Sequence, residues 1–308
     1  MSADIPVIDL SQVDVDLLRD ACATWGLFQV VGHDVPQAAV DALRTQSRQF
    51  FALPMAEKQA VARTADNPWG YFDRELTKNV RDWKEIFDVG PAYGAAVPQW
   101  PAAEPAFRAA LQTYAEAIHT LSLRVLEVLL ASLGESPASL VATFRQHTSF
   151  LRLNYYPPCP EPAAANSATV PAHGRLGIGH HTDAGALTVL DQADVPGLQA
   201  LRDGRWWLVP VREGAFTINL GDVVQVWSND TYTAPVHRVL AQRDATRFST
   251  AYFLNPPEDC IYAPLPGAMR EHPACYRGIS WREFRARRAA GDYADYGQEV
   301  QISDYRIA

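Results

Sequence analysis

Nowhere in this chain does an apolar run approach the roughly 20 residues that a membrane-spanning helix requires, and no basic segment followed by an apolar stretch stands at its start. A cytoplasmic protein without a membrane partner is therefore expected. Cysteine is scarce. Cys22, Cys159, Cys260 and Cys275 lie far apart and form no Cys-x-x-Cys pair, so reduced thiols are expected rather than a disulfide framework. Lysine is scarcer, three against 24 arginines, and the formal net charge is −8 with no long run of one sign. That balance argues against nucleic acid as partner, since phosphate binding needs a cationic patch. Flexible Ser/Gly linkers are missing too, so the Pro/Ala/Gly-rich stretch 91–105 reads as a connection and not as a domain boundary.

What is present is a soluble globular composition, 308 residues with 48% hydrophobic side chains, enough to bury a substantial core. Apolar spacing predicts a strand at 5–10, a helix from Val13 to Thr24, a strand from Leu27 to Val31, a helix from Pro36 to about Phe51 and a short helix over 54–62. Asn67 to Gly90 mixes charge with aromatics. Two readings stay open for it: a strand and loop over a pocket, or an edge strand with a solvated charged face. A long, mostly buried helix runs from Phe107 to Leu133 and stops at Gly134, and Pro137 to Thr143 is a second, shorter one. From Phe150 to about Asn255 the pattern is β throughout. Short runs at Phe150–Tyr156, Leu187–Leu190, Leu198–Leu201, Trp206–Val209, Phe216–Asn219, Val223–Trp227, Val236–Leu240 and Phe248–Leu254 suggest a sandwich or barrel. Residues 160–175 form a mobile loop in this reading. A helix over 280–290, with Ser280 and Glu283 as a capping box, closes the chain.

One stretch carries chemistry: Gly179-His180-His181-Thr182-Asp183-Ala184. In an extended strand residues i and i+2 share a face, so His181 and Asp183 can both reach one cation. His237, in a second β-like run, supplies a third ligand. Two histidines and one carboxylate hold one face of an octahedron and leave three positions open, the arrangement of non-haem Fe(II) oxygenases. Ten residues on, Arg247 and Ser249 project together from another strand, and a guanidinium fork with a hydroxyl suits a carboxylate.

With these motifs in place, the chain resembles the iron(II) and 2-oxoglutarate-dependent dioxygenases, in the branch containing isopenicillin N synthase and the plant flavonoid and hormone oxygenases. The resemblance rests on Asn154-Tyr155-Tyr156-Pro157-Pro158-Cys159-Pro160, His181-Thr182-Asp183, Pro196-Gly197-Leu198-Gln199, Asn219-Leu220-Gly221-Asp222, His237-Arg238 and Arg247-Phe248-Ser249, with Trp25 to His33 similar near the start. It implies a mainly β core with flanking helices: a double-stranded β-helix, or jelly-roll barrel, over 146–257. An N-terminal α/β region at 1–100, packing helices at 101–145 and a C-terminal segment at 258–308 would complete one integrated unit.

The resemblance also implies Fe(II) on His181, Asp183 and His237, with O2 and 2-oxoglutarate as co-reactants. The distal carboxylate of 2-oxoglutarate would lie against Arg247, Ser249 and Tyr156. Asn154 would support it, or else bond within the barrel. Oxidation of a small organic substrate, hydroxylation above all, would accompany release of succinate and carbon dioxide. Two alternatives are an isopenicillin N synthase-like oxidase that does without 2-oxoglutarate and a non-catalytic small-molecule sensor. Matching positions put Ile86, Asp88, Arg152, Phe253 and Asn255 on the substrate pocket. A buried Arg152 must meet an anion, either Asp88 or a carboxylate or phenolate of the substrate, and an acidic or phenolic, largely apolar molecule is the expectation. Ile86 and Asp88 depart from the aromatic residues common in flavonoid oxygenases, which argues against a flavonoid itself.

Overall fold

In this computed structural model residues 4–92, 94, 96–102, 104–270, 272–293 and 300–307 are described; parts of the 91–105 connection and of the 258–308 segment therefore lie outside the described residues. In chain order come β1 (Val7–Asp9), α1 (Val15–Thr24), β2 (Leu27–Val31), α2 (Gln37–Ala52) and α3 (Met55–Gln59). Four short strands follow, β3 (Gly70–Phe72), β4 (Leu76–Thr77), β5 (Val80–Arg81) and β6 (Glu85–Val89), then α4 (Pro105–Ser132) and α5 (Pro137–Thr143). The β-rich half holds β7 (Phe150–Tyr156), β8 (Leu176–His181), β9 (Leu187–Asp191), β10 (Leu198–Arg202), β11 (Arg205–Leu208), β12 (Phe216–Leu220), α6 (Asp222–Trp227), β13 (His237–Leu240) and β14 (Arg247–Leu254). The hairpin partners β15 (Ile261–Tyr262) and β16 (Ile279–Ser280) lead into α7 (Trp281–Tyr293).

Two sheets carry the site. The larger runs β1-β2-β12-β9-β14-β7-β6-β3 and the smaller β11-β10-β13-β8, facing each other as a jelly-roll sandwich with a cavity between them. Period-2 alternation divides the larger sheet between two tasks. Along β7, Leu151 and Leu153 enter the main apolar core, while Phe150, Arg152, Asn154 and Tyr156 line the cavity. On β14, Tyr252 and Leu254 face the core and Arg247, Ser249, Ala251 and Phe253 the cavity. The core side is covered by α4, whose Leu111, Tyr114, Ile118, Leu121, Val125 and Leu129 recur at three- and four-residue spacing and are all buried. Burying each such leucine contributes about 1.5–3 kcal/mol. Gly134, at φ +76°, ends that helix as expected.

One expectation needs correction, and two other segments take definite form. Val223–Trp227 is the helix α6 and not a strand, because a short apolar run buried on all sides has no period that separates the two. The segment 75–88 is exposed only at residues 78–81. β6 lies inside the sheet between β3 and β7, and Glu75, Asp82, Lys84 and Asp88 are all buried. The 160–175 loop meets the smaller sheet through buried Arg238, which donates to the carbonyls of Ala165 (3.1 Å) and Ala168 (2.9 Å) and to Gln199 (2.9 Å). The capping box at α7 is present as its Ser280 half, where the Glu283 N–H donates to Ser280 Oγ at 3.4 Å. Among the described residues no helix is long and apolar enough to cross a membrane.

Candidate metal and cosubstrate site

His181 is the last residue of β8, and its register partner across the smaller sheet is His237, the first residue of β13. Asp183 stands two residues further, beyond the end of β8 and not on it as the spacing implied. Its position comes from the turn itself: the Asp183 carbonyl accepts the Asp222 N–H at 2.8 Å, and Gly221 packs so closely on Gly185 that a Cβ there would sit 2.1 Å from the Gly185 carbonyl oxygen. The three side chains converge, with ligand atoms all within 4.8 Å of one another. Asp183 Oδ1 lies 3.7 Å from Nε2 of each histidine.

The hydrogen bonds leave one ligand atom free on each residue. Nδ1 of His181 meets the Gly179 carbonyl at 2.9 Å and Nδ1 of His237 the Pro235 carbonyl at 3.0 Å. Each Nδ1–H is thus a donor, and the Nε2 lone pair points at the shared centre. Burial, and then the neighbouring His237, push the His181 imidazole down to about 3, so it is neutral and able to ligate. Asp183 Oδ2 accepts from Thr188 Oγ1 at 2.6 Å, which leaves Oδ1 for a metal. Burial raises the Asp183 carboxyl, but His237, His181 and hydrogen bonds from Thr188 and Asn219 hold it below its ordinary value. Neither Thr188 nor Asn219 was singled out as a support from sequence, although Asn219 begins a quoted motif.

Next to this set, Arg247 is 1% exposed. Its Nε donates to the Val195 carbonyl (3.0 Å), its Nη1 to Ser249 Oγ (3.3 Å), and its guanidinium lies 4.8 Å from the Tyr156 ring centre. Burial lowers its pKa. Nη2 has no hydrogen-bond partner, and neither has Asn154 Oδ1 on the same cavity wall. A buried donor left open is costly unless something fills it. A carboxylate would answer Nη2, and turning the Asn154 amide over would offer the same anion an N–H. The residues therefore fit both Fe(II) and a small dicarboxylate.

The cavity measures about 1390 Å³. Asp88, Arg152, Phe253 and Asn255 line it; Ile86 does not, being fully buried opposite Asn154 and Phe72 in the sheet. Arg152 does not wait for a substrate anion. Its Nε and Nη2 grip Asp88 at 2.8 Å each and its Nη1 reaches Glu75 at 3.0 Å. Lys84 bonds Glu75 (2.6 Å) and Asp82 (3.3 Å), and Arg63 stands 3.5 Å from Glu75 and 3.6 Å from Asp88. Three cations thus meet three carboxylates. Burial works to raise the Glu75 carboxyl, yet Arg152, Lys84 and Arg63 together hold it well below its ordinary range. Aromatic side chains form another part of the wall: Phe150 stacks on Phe253 at 4.7 Å, with Trp69 6.0 Å from Phe150.

Comparison with known proteins agrees with this geometry. The 2OG-Fe(II) oxygenase superfamily profile matches residues 147–256, and the profile described as non-haem dioxygenase in morphine synthesis N-terminal matches residues 5–106. Oxoglutarate-dependent flavonoid 7-O-demethylase 1 of Ocimum basilicum is 33% identical over 297 residues, spanning 91% of this chain and 76% of its own. The crystal structure of JOX2 in complex with 2OG, Fe and JA is similar at 31% identity with a TM-score of 0.81, over 93% of this chain and 85% of its own. The dioxygenase for auxin oxidation in rice follows at 29% identity and a TM-score of 0.78, over 99% and 100%.

Proposed function

The chain belongs to the 2OG-Fe(II) oxygenase superfamily, and from that premise we propose that His181, Asp183 and His237 hold its Fe(II), that Arg247, Ser249, Tyr156 and Asn154 hold 2-oxoglutarate, and that it hydroxylates an acidic or phenolic, largely apolar small molecule. Its class is that of the 2-oxoglutarate-dependent dioxygenases, which act on small metabolites. The observation that carries the reading is the buried, unpartnered Arg247 Nη2 on the wall shared with the His–Asp–His set.

When bound, Fe(II) with 2-oxoglutarate and O2 supplies the oxidising chemistry, which consumes the cosubstrate to succinate and carbon dioxide. The chain's own part is arrangement. The Gly179 and Pro235 carbonyls fix the two imidazoles, Thr188 orients Asp183, and Arg247 receives the distal carboxylate through a planar fork. Phe150, Phe253, Trp69 and Trp281 exclude water and take an apolar substrate body. Arg152 is committed to Asp88 and Glu75; Arg285 on α7 also lines the cavity, with its guanidinium 5.9 Å from the Phe150 ring centre, and is the side chain whose part in recognising a substrate anion is put to the test.

The test screens small aromatic and alicyclic acids and phenols, each against its methyl ester or ether, and follows succinate and O2 uptake with and without 2-oxoglutarate. We expect turnover that requires 2-oxoglutarate and prefers the acid or phenol, with the preference reduced in Arg285→Gln. Equal O2 uptake without 2-oxoglutarate would overturn the cosubstrate site; an acid preference untouched in Arg285→Gln would overturn the anchor.

A further inference from the structure

The register of β8 against β13 is irregular. His237 pairs with His181 and Val239 with Ile178, so two steps on β13 span three on β8, and Gly179 and His180 bulge opposite Arg238. Gly179 therefore loses regular ladder pairing at the point where its carbonyl orients the His181 ring. A glycine in that position is the most mobile link the backbone could place there. Its N–H is taken instead by Asp82 Oδ1 at 3.0 Å, across 97 residues of sequence.

Asp82 is itself held in place. Thr77 Oγ1 donates to its Oδ2 at 3.0 Å and Lys84 Nζ lies 3.3 Å from the same oxygen. Its neighbour Trp83 donates its backbone N–H to the Leu176 carbonyl at 3.0 Å, so the 82–83 segment grips β8 near both ends. Lys78 and Asn79, both at positive φ, close the β4–β5 hairpin that carries Thr77 up to Gly179. A Cβ on Gly179 would stand 3.0 Å from the Thr77 side chain, so the bulge and the hairpin are packed closely at this glycine.

We propose that Asp82 is a positioning residue for the metal centre: its carboxylate pins the bulged Gly179, and Gly179 in turn fixes the ring of His181. The proposal rests on His181 as a metal ligand. The N-terminal region thereby completes the support of a ligand that belongs to the β-rich half, and Lys84 joins the same brace to the Glu75–Arg152–Asp88 wall of the cavity. Partners of this outer kind are typically worth about 10–100-fold in metal affinity.

The experiment titrates Co(II) anaerobically into wild-type protein, His181→Ala and Asp82→Ala, reading affinity and the visible ligand-field spectrum, with thermal melting of each metal-free protein alongside. Asp82→Asn, which keeps an oxygen able to accept from Gly179, serves as the conservative variant. Should Asp82→Ala not fold, Asp82→Ala combined with Lys84→Met is measured in its place, since it leaves no buried ammonium facing a hole. We expect Co(II) affinity to fall at least 10-fold in Asp82→Ala, with shifted bands, and to recover in Asp82→Asn. Wild-type affinity and spectrum in the folded alanine variant would overturn the proposal, even if its melting temperature fell. Unchanged Co(II) binding in His181→Ala would instead overturn the ligand assignment.

Discussion

Gly197 illustrates how tightly the cosubstrate arginine is seated. A Cβ at that position would fall 2.9 Å from Arg247 Nε and 3.0 Å from its Cδ, so a methyl group can enter only by displacing the fork. Gly197→Ala should raise the KM for 2-oxoglutarate about 10-fold or more, the effect of losing about 1.4 kcal/mol of a charge-assisted contact. It should leave Co(II) affinity near wild type, and steady-state kinetics with a parallel metal titration checks both. The Pro-Gly-Leu-Gln motif was legible in the sequence; what the glycine makes room for was not. Arg152 teaches the same lesson from the other direction. Its strand face followed from period-2 spacing and its need for an anion from the cost of burying an unpaired charge, but whether Asp88 or a substrate met that need depended on β6 lying beside β7, a pairing over more than 60 residues of sequence. Ile86 failed as a pocket residue for a related reason: sharing a face with Asp88 places it in the same layer but gives it no free surface.

Most helices and strands could be read from local patterns because their apolar periods are long or cleanly alternating, as in α4 and β7. α6 could not. Its Val223, Val224, Val226 and Trp227 are all buried, so no polar face marks a helical period, and its start is set by Gly221 folding against the turn that carries Asp183. Chain direction at Asp183 is thus determined by a helix and a turn packed backbone to backbone, and the i, i+2 rule for a strand gave the right ligand pair for an incomplete reason. Gly221→Ala should force that contact open, since its Cβ would stand 2.1 Å from the Gly185 carbonyl oxygen and 3.0 Å from that of Asp183. Overpacking of this kind costs about 1–3 kcal/mol. Urea denaturation should show a lower midpoint at unchanged slope, and Co(II) affinity should fall with it because Asp183 moves. A wild-type midpoint would mean that α6 shifts freely against the turn.

The assembled molecule adds features that no single segment contains. β1 and β2 extend one end of the larger sheet and β6 and β3 the other, and the brace of Arg63, Glu75, Asp82, Lys84, Asp88 and Arg152 closes only when the N-terminal strands meet β7 and β8. One such long-range contact contributes to the response to acid. His119 on α4 bonds the Tyr252 hydroxyl on β14 at 2.9 Å and stacks on His147 at 4.4 Å. Burial, and then His147, push the His119 imidazole down to about 4 from 6.5, and burial lowers His147 also. The folded state therefore refuses a proton that the unfolded chain accepts. Stability from this pair is complete above about pH 6.5 and drains away as pH falls towards 4. Asp82 acts with the opposite sign: burial raises its carboxyl to about 6 from 3.8, so the fold binds the extra proton between those values and gains from mild acid. A comparison of two proteins sharing Asp82 cancels that contribution. Metal-free wild type should lose more melting temperature between pH 7 and pH 5 than His119→Gln, whose amide can still bond Tyr252 but cannot titrate. Differential scanning calorimetry at the two pH values measures the gap, and an equal loss in both proteins would show that the acid response does not originate in the contact between α4 and β14.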